Sequence, residues 1–362
     1  MISLEGVVPG IVDSHIHQWD PFTTPREASK LAPLHRRAPW LTPLLTRLVI
    51  DQGSRELVLT PDHVASPYVP ETYADDVAAV PGAVGVPVES VVHVEADWQG
   101  DPVDETAWVD ALPFGTDGRP ELLAIVGHAD PRRPDFAATL DRHRAASPRF
   151  RGIRCMGTWH DDPKVKRWAD QPALFRDPVF LRGFAALAER GLTFDAYAYS
   201  HQLDEVAHLA GEYPDTTIVL DHYAPPVGWL GPMGRNTGQD EPARADLLAR
   251  WRDGIAALAE RPNVVAKHSG LAFPMLGLRE QGIGRAALAE RVGPLVTHTQ
   301  EAFGPDRVLF GSNFPMDKAV TGHATVVGAL ADLLQPYGDD ALRKVFRDNA
   351  WRVYSGSDGS TS

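Results

Sequence analysis

The stretch GIVDSHIHQWDP, residues 10–21, ends an apolar run with two histidines and is the first sign of how this chain folds. Side chains two residues apart in an extended strand share a face, so His15 and His17 are expected to project together. Neutral imidazoles aimed at one point suit a metal ion or a polarised substrate oxygen. Two polar residues that merely cap a strand explain the pattern equally well, so this stretch alone leaves both interpretations open.

The same arrangement, a short β-rich run that ends in polar residues, recurs along the chain. The eight runs are residues 10–17, 89–97, 122–130, 150–156, 192–199, 216–222, 263–270 and 307–315. Helix-like segments rich in alanine and leucine lie between or after them, at 177–191, 203–214, 243–262 and 338–354. Alternating strands and helices indicate a parallel sheet with covered faces. Eight such units predict a (β/α)8 TIM barrel, with residues 1–354 as a single domain.

The polar residues at the strand ends predict a catalytic rim. In a barrel of this kind the carboxyl ends of all strands open on one face, where active sites are built, and helix-covered strands otherwise stay apolar to their ends. No glycine-rich phosphate-binding turn follows any of the strands, which removes the main support for a nucleotide-binding fold. The polar endings are His93, Glu95, His128, Asp130, Arg154, Asp195, Tyr197, Tyr199, His222, Lys267, His268, Ser269 and Asn313.

Two long proline-containing stretches break the alternation of strands and helices. Residues 22–72 follow the first strand and residues 224–242 follow the sixth. Long loops are usually functional, and both leave from the predicted rim, so we expect 22–72 to form a lid-like insertion and 224–242 a pocket loop. Surface excursions or contacts between subunits are the alternative. The polar tail, residues 355–362, is expected to be disordered.

Composition limits the partners of the 362-residue chain. A net charge of −13 argues against nucleic acid and anionic membranes, and no apolar run approaches the roughly 20 residues of a membrane span. The N-terminal residues lack the basic and apolar regions of a signal peptide, so a cytoplasmic location is expected. Cys155 is the only cysteine, which excludes an internal disulfide and a thiolate metal cluster. The expected partner is a small-molecule substrate, and a homo-oligomer stays open.

Five motifs give the chain a family resemblance. VDSHIHQWDP, FRGIR, GLTFDAYAYSHQL, IVLDHYAPP and RVLFGSNFP, in this order, resemble the amidohydrolase superfamily, and in particular its lactonase-like branch, which includes pyrone-dicarboxylate lactonase and fuconolactonase. The resemblance implies that His15, His17 and His222 are metal ligands or bind the substrate carbonyl. It also implies that Arg154 holds an anionic or carbonyl group, that Tyr197 or Tyr199 contacts substrate, and that His201 is an additional ligand or acid. Glu95 and Lys267 join the substrate-binding candidates.

The chain departs from the family pattern at the eighth strand. Family members commonly place there an aspartate that activates the attacking water, whereas this chain has Asn313. An amide neither accepts a proton at neutral pH nor brings negative charge to a metal. Asp317, four residues later, is the nearest substitute, and Glu95 is another. The catalytic set predicted from the sequence is therefore His15, His17 and His222 with Asn313 and Asp317.

The metal and the reaction follow from the same residues. Three histidines suffice for a catalytic zinc site, and zinc would lower the pKa of its water to roughly 7, which compensates in part for the missing aspartate. Some lactonases of this branch work without metal, so metal-independent catalysis stays open beside one divalent ion, zinc first. The predicted function is a hydrolase that opens a lactone or related cyclic ester of a polar, anionic small molecule.

Two other functions stay open. The first is metal-dependent, non-oxidative decarboxylation of an aromatic or unsaturated acid, because protonation of a carbanion needs no water-activating aspartate and the fold alone does not decide. The second is a non-catalytic binder, which only the loss of the strand-eight acid supports.

Overall fold

The computed structural model describes residues 2–30, 32–42, 46–47 and 50–356. Eight parallel strands form one sheet, and each strand pairs with the next in chain order. Beyond the eighth strand, Phe314 bridges to Ile16 at the end of the first, so the two edges of the sheet meet. The predicted (β/α)8 barrel is confirmed as a nearly closed ring. Its strands are β1 Ile11–Ile16, β2 Val88–Val94, β3 Glu121–His128, β4 Phe150–Arg154, β5 Thr193–Ala196, β6 Ile218–Leu220, β7 Val264–His268 and β8 Val308–Phe310.

Helices connect and cover the strands. They are α1 Ala32–Arg37, α2 Gln52–Val58, α3 Asp62–Ala65, α4 Pro70–Val77, α5 Val80–Val84, α6 Pro102–Asp110, α7 Phe136–Ala146, α8 Pro178–Ala188, α9 Leu203–Glu212, α10 Glu241–Ala259, α11 Arg285–Phe303, α12 His323–Leu334, α13 Gly338–Arg343 and α14 Asn349–Tyr354. The segments predicted as helices at 177–191, 203–214 and 243–262 are confirmed as α8, α9 and α10. The predicted last helix is α13 and α14, joined by one π-helical turn. Within the described part of the chain, no helix combines the length and apolarity needed to cross a bilayer.

The strands bury both of their faces, which explains why they read as nearly continuous apolar runs. One set of strand side chains, including Val12, Val126 and Leu309, fills the barrel interior together with Tyr354 from α14. A second set faces outward and packs under the helices in the largest apolar cluster of the chain, where Phe194 meets Phe180 and Phe184 of α8. With both faces buried, polar side chains within the strands need internal partners, as Asp13 in the middle of β1 has in Tyr73 and His323.

Aspartate side chains fix where several helices begin. Asp51, Asp101, Asp177 and Asp240 each precede a helix and accept a hydrogen bond from a backbone N–H of its first turn. Such caps pair donors that the helix itself leaves unpaired. The cap at Asp51 matters most for function, because it starts the helix α2 inside the long insertion after β1.

The remaining domain predictions are not decided by the fold. Residues 357–362 of the polar tail lie outside the described residues, so its disorder stays a prediction. The assignment of residues 1–354 to one domain also stays a prediction. The insertion 22–72 carries α1, α2 and α3, whereas the stretch 224–242 carries helix only at its end, where α10 begins.

Gly183 of α8 tests how tightly the outer helices sit. A Cβ at this position would lie 1.8 Å from the backbone oxygen of Pro131, which follows β3. Alanine normally favours a helix over glycine by up to about 1 kcal/mol. We nevertheless expect Gly183→Ala to lower the free energy of unfolding by about 1–3 kcal/mol, because the helix must move away from the barrel. Denaturant titration measures this.

Gly211 of α9 supplies the matched control, because a Cβ there would meet the Arg261 guanidinium at an ordinary 3.5 Å. Gly211→Ala should therefore raise stability slightly. A gain of stability in both variants would contradict the packing described for α8.

Candidate active site

A cavity of about 570 Å³ opens at the carboxyl ends of the strands. Its floor consists of residues that follow or end six different strands, and its outer wall comes from the insertion after β1 and from the segment that follows β4. The floor residues are His17, Arg154, Tyr197, His222, Phe273 and Asn313. The placement of a cavity at this rim is what the polar strand ends predicted.

Three imidazoles converge at the floor. The ring centroid of His15 lies 4.4 Å from that of His222 and 5.0 Å from that of His17. Burial lowers the pKa of all three well below the usual value, and for His222 to about 3. The rings are therefore neutral at pH 7, and each keeps a nitrogen lone pair.

Hydrogen bonds orient the three rings. His17 Nδ1 lies 2.8 Å from the Val94 carbonyl oxygen, and His222 Nδ1 lies 2.9 Å from Ser269 Oγ. A carbonyl only accepts, so His17 Nδ1 carries the proton and its Nε2 keeps the lone pair. His15 Nε2 is buried and has no hydrogen-bond partner among the described residues. The unused nitrogens are available for a ligand.

The backbone at two floor residues is left-handed. His222 has φ of 53° and ψ of 32°, and the next two residues also have positive φ, while Asn313 has φ of 60°. Non-glycine residues in this region cost of order 1 kcal/mol or more each and cluster at functional sites. No pattern in the sequence predicts this left-handed backbone conformation. It turns the His222 and Asn313 side chains to line the cavity.

An ion cluster lies directly beneath the floor. Asp221 Oδ1 is 3.2 Å from His15 Nδ1 and 3.2 Å from Lys267 Nζ, and Lys267 Nζ is 2.5 Å from Asp195 Oδ2. All four side chains are fully buried. Burial alone would raise the pKa of Asp221, but Lys267 and His15 hold it well below its usual value, so Asp221 is a carboxylate. Burial raises the pKa of Asp195 to about 6.

The structure places two predicted substrate-binding residues in this buried layer and not in the cavity. Lys267 contacts Asp195, Asp221 and His15, and Glu95 contacts Arg154; neither lines the cavity. The sequence analysis did not single out Asp221, although the residue directly precedes His222 in the IVLDHYAPP motif. A charged residue directly after an apolar buried strand was the signal that could have found it.

Arg154 is engaged by carboxylates. Its Nε lies 2.7 Å from Glu95 Oε1, its Nη2 2.7 Å from the Glu95 carbonyl oxygen, and its Nη1 3.5 Å from Asp221 Oδ2. Burial alone would raise the pKa of Glu95, but Arg154 lowers it to about 2. The guanidinium lines the cavity, but its nitrogen atoms already contact Glu95 and Asp221. Substrate binding by Arg154 therefore stays a prediction that this geometry does not favour.

The structure separates the predicted aromatic and histidine contacts. Tyr197 lines the cavity, and its hydroxyl is buried without a partner among the described residues. Tyr199 is buried beside it but donates its hydroxyl to the Lys166 carbonyl oxygen at 2.6 Å. His201 is exposed and packs on His160, outside the cavity lining. Tyr197 is thus the member of this group that is free to meet a substrate.

Asn313 and Asp317 form a pair at the end of β8. Asn313 Nδ2 donates to Asp317 Oδ1 at 2.8 Å, and Ala272 N donates to Asp317 Oδ2 at 2.7 Å. Burial raises the pKa of Asp317 to about 8, and the carboxyl does not line the cavity. A group that is neutral at pH 7 and out of contact with the cavity does not serve as a general base there. These surroundings argue against the predicted catalytic role of Asp317.

Two cavity-lining residues escaped sequence reasoning. The Arg26 guanidinium stacks 4.0 Å from the Trp19 ring centroid, Nε donates to the Ala96 carbonyl oxygen at 2.5 Å, and Nη1 is buried with no partner in the described residues. Asp97, in a left-handed conformation two residues beyond Glu95, lines the same cavity, and burial raises its pKa. Neither residue stands in a strand of the structure. Asp97 ends the second β-rich run of the sequence but was not among its predicted site residues, and no periodic pattern points to Arg26 in the insertion.

The stretch 224–242 does not line the cavity, in contrast to the prediction of a pocket loop. It supports the insertion from behind, because Gly234 N donates to Glu56 Oε2 at 2.8 Å and Gln52 Nε2 donates to the Gly234 carbonyl oxygen at 3.0 Å. The segment after β4 forms that part of the wall instead, with Met156, Lys166 and Trp168. The insertion 22–72 does line the cavity, and its action as a lid stays a prediction.

Among the residues that the structure describes, one group of side chains can hold a metal ion. His15, Asp221 and His222 offer ligand atoms that all lie within 4.8 Å of one another. His17, included in the ligand set predicted from the sequence, is not in this group. Two neutral imidazoles and one carboxylate match the ligand types of zinc. His15 Nε2 is buried and has no hydrogen-bond partner among the described residues, so this nitrogen is available as a ligand atom. The residues therefore fit one divalent ion.

Comparisons with known proteins agree with the geometry. The sequence model of a protein family described as "Amidohydrolase" matches residues 12–356 of this chain. An uncharacterized protein y4mH of Sinorhizobium fredii is 32% identical over 73% of this chain and 79% of its own length. The L-fucono-1,5-lactonase of Burkholderia multivorans is 30% identical over 68% of this chain and 74% of its own length.

The barrel also matches a solved structure. An amidohydrolase from Burkholderia multivorans with bound HEPES superposes with a TM-score of 0.67 at 25% identity, over 96% of this chain and 99% of that one. A second crystal form of that target, with bound zinc, gives a TM-score of 0.67 at 24% identity over 96% and 99% of the two chains.

The buried Asp317 carboxyl makes stability depend on pH. Its folded pKa of about 8 exceeds the ordinary value near 3.9, so the folded state binds the extra proton between these values and stability falls as pH rises towards 8. Asp317→Asn removes this titration. We expect the difference in the free energy of unfolding, variant minus wild type, to grow from pH 5 to pH 8 at roughly 1.4 kcal/mol per pH unit and then to level off, which denaturant titration at each pH measures. A difference that is constant with pH would contradict a neutral Asp317.

Proposed function

We infer that this chain, which belongs to the amidohydrolase family and is an enzyme of the hydrolase class, opens a lactone or a related cyclic ester. The observation that carries the proposal is the convergence of three neutral imidazoles, of which His17 and His222 line the cavity and His15 lies directly behind them. Neutral rings that share a focus polarise a carbonyl or hold a metal ion, and both favour attack on an ester carbon. The L-fucono-1,5-lactonase relative supports a lactone in particular.

The proposed reaction adds water across the ring ester. The water oxygen forms a bond to the carbonyl carbon, the ring C–O bond breaks, and the departing alkoxide takes a proton, so that a hydroxy acid forms and ionises. Asn313 donates through Nδ2 to Asp317, which leaves its Oδ1 to accept a hydrogen bond from the attacking water. The amide thus orients the water, although it does not remove its proton.

His17 and His222 have different tasks in this scheme. The proton on His17 Nδ1 is committed to Val94, so its Nε2 accepts and does not donate. His222 Nδ1 faces a serine hydroxyl, which accepts as well as donates, so His222 Nε2 can carry the proton that a developing oxyanion needs. Tyr197, with its unpartnered hydroxyl beside His222 at 5.4 Å between ring centroids, is the second donor.

A divalent ion fits this scheme because His17 does not donate to a carbonyl. His15, His222 and Asp221 would hold the ion. The free His222 nitrogen would then be a ligand and would not donate a hydrogen bond, so Tyr197 would be the remaining donor. Zinc there would lower the pKa of bound water to roughly 7, which lessens the need for the missing strand-eight acid. Lys267 and Arg154 keep Asp221 ionised and in place.

Replacing His222 tests the proposed reaction. We expect His222→Ala to lower kcat/KM for lactone opening by about 100-fold or more, because a donor aimed at the reacting oxygen is lost. A panel of γ- and δ-lactones, followed by acid release with a pH indicator, measures this. His298→Ala, on an outer helix where Nε2 contacts the Arg252 carbonyl oxygen, is the control and should keep full activity.

Two outcomes would overturn the proposal. One is the absence of acid release from every lactone in the panel. The other is release of carbon dioxide from an aromatic or unsaturated acid that depends on His222, which would establish the decarboxylase alternative.

Metal content is a separate test that needs no substrate. Elemental analysis of the purified chain should find about one divalent ion per chain, and His222→Ala should reduce that content several-fold while circular dichroism stays unchanged. Asp221→Asn should also reduce the metal content, with a lower stability because Lys267 and Arg154 lose a buried counterion. Arg154→Lys keeps the positive charge beside Asp221 and should retain the ion. Equal metal in all variants, or none in the wild type, would contradict the proposed ligands.

A further inference from the structure

We propose that the substrate of this enzyme carries a bulky apolar substituent on its lactone ring. This inference rests on the proposed lactone hydrolysis and narrows it to a substrate class. It starts from the apolar side chains that line the cavity next to the polar residues of the floor. It differs from the sequence-based expectation of a polar, anionic substrate.

Six apolar side chains that line one side of the cavity form what we call the apolar wall, and charged side chains such as Lys166 and Arg154 line the cavity beside it. Its members come from four separate segments, line the same cavity and pack in one cluster around Tyr197. The insertion contributes two members, the segment after β4 two, and the ends of β7 and β8 one each. They are Leu57, Val58, Met156, Trp168, Phe273 and Met316.

The apolar wall is fixed by specific contacts. Helix α2, which carries Leu57 and Val58, is tied to the loop after β6 by the two hydrogen bonds between its residues Gln52 and Glu56 and the backbone of Gly234. On its other side, a Cβ at Gly53 would lie 2.6 Å from the Lys166 backbone nitrogen, so α2 sits directly on the segment after β4. These contacts hold the wall over the cavity.

The apolar wall reaches the reacting centre. The His222 ring lies between Tyr197 and Phe273, at centroid distances of 5.4 and 5.5 Å. Phe273 belongs to the wall, and Trp168 packs on Tyr197 at 5.6 Å. A substituent on a ring whose carbonyl meets His222 therefore extends along the wall.

Size and desolvation select the substituent. A cavity of about 570 Å³ lies in the range of sites for drug-sized ligands, roughly 300–1,000 Å³, and an unsubstituted five- or six-membered lactone would leave most of it to water. Hydroxyl groups set against the wall would lose their hydrogen bonds to water without replacement, whereas alkyl or aryl groups gain by leaving water. Flexible methionines accommodate such groups.

Three δ-lactones with the same ring size test the inference. They are unsubstituted δ-valerolactone, δ-undecalactone with its hexyl chain, and the hydroxylated D-glucono-1,5-lactone. We expect kcat/KM for δ-undecalactone to exceed that for D-glucono-1,5-lactone by at least about 10-fold, with the unsubstituted ring between them, since one misplaced group at a specific pocket changes kcat/KM by about that factor or more.

Polar substitutions in the apolar wall link this preference to the structure. Leu57→Asn and the nearly isosteric Val58→Thr should reduce the ratio of kcat/KM between δ-undecalactone and δ-valerolactone several-fold, because the hexyl chain loses an apolar contact that the unsubstituted ring does not make. Val179→Asn, at an exposed position of α8, is the matched control and should leave the ratio unchanged. Val58→Thr keeps the test valid if Leu57→Asn fails to fold.

The outcomes separate this inference from the proposed function. Hydrolysis of D-glucono-1,5-lactone equal to or faster than that of δ-undecalactone overturns the apolar substituent and leaves lactone hydrolysis standing. Variants in the wall that lower the rate for all three lactones equally also overturn it. Failure to hydrolyse any of the three, together with a negative result from the wider lactone panel, overturns the proposed function itself.

Discussion

The structure depends on one buried carboxylate, Asp221, and on the side chains that pair with it. A carboxylate removed from water is costly unless it is paired, and removal of a partner from such a cluster is more costly still. Asp221 has His15 and Lys267 at 3.2 Å and Arg154 at 3.5 Å. These partners stand at the ends of β1, β7 and β4, so the requirement to pair the charge holds the rim of the barrel in one arrangement.

This cluster also determines what the floor can do. His15 and Lys267 are turned inward to Asp221, and the Arg154 guanidinium in the floor is engaged by Glu95 and Asp221. The polar floor groups left to meet a ligand are therefore neutral: His17, His222, Tyr197 and Asn313. Hydrogen bonds behind the floor orient His17, His222 and Asn313. The apolar wall beside it contributes selectivity without adding charge to the reacting centre.

The sequence predicted the barrel and the convergence of His15, His17 and His222 because strand ends are visible in local patterns. It did not indicate which polar side chains are buried below the cavity floor and which line the cavity. Asp317 is close to Asn313 in sequence, but burial neutralises it, and nothing local indicates that burial. Lys267 stands at a strand end as expected, yet its partner Asp195 draws it below the floor. Met156 and Trp168 lie in an irregular segment whose position depends on tertiary contacts.

Helix α14 extends this arrangement to the opposite end of the barrel. Its last residue, Tyr354, lies in the barrel interior and donates its hydroxyl to Asp195 at 3.0 Å, the same carboxylate that pairs with Lys267. A chain of contacts thus runs from Tyr354 through Asp195 and Lys267 to His15. Loss of the Tyr354 hydroxyl would therefore leave a buried carboxylate one donor short beneath the cavity floor, although the residue belongs to the last helix of the fold.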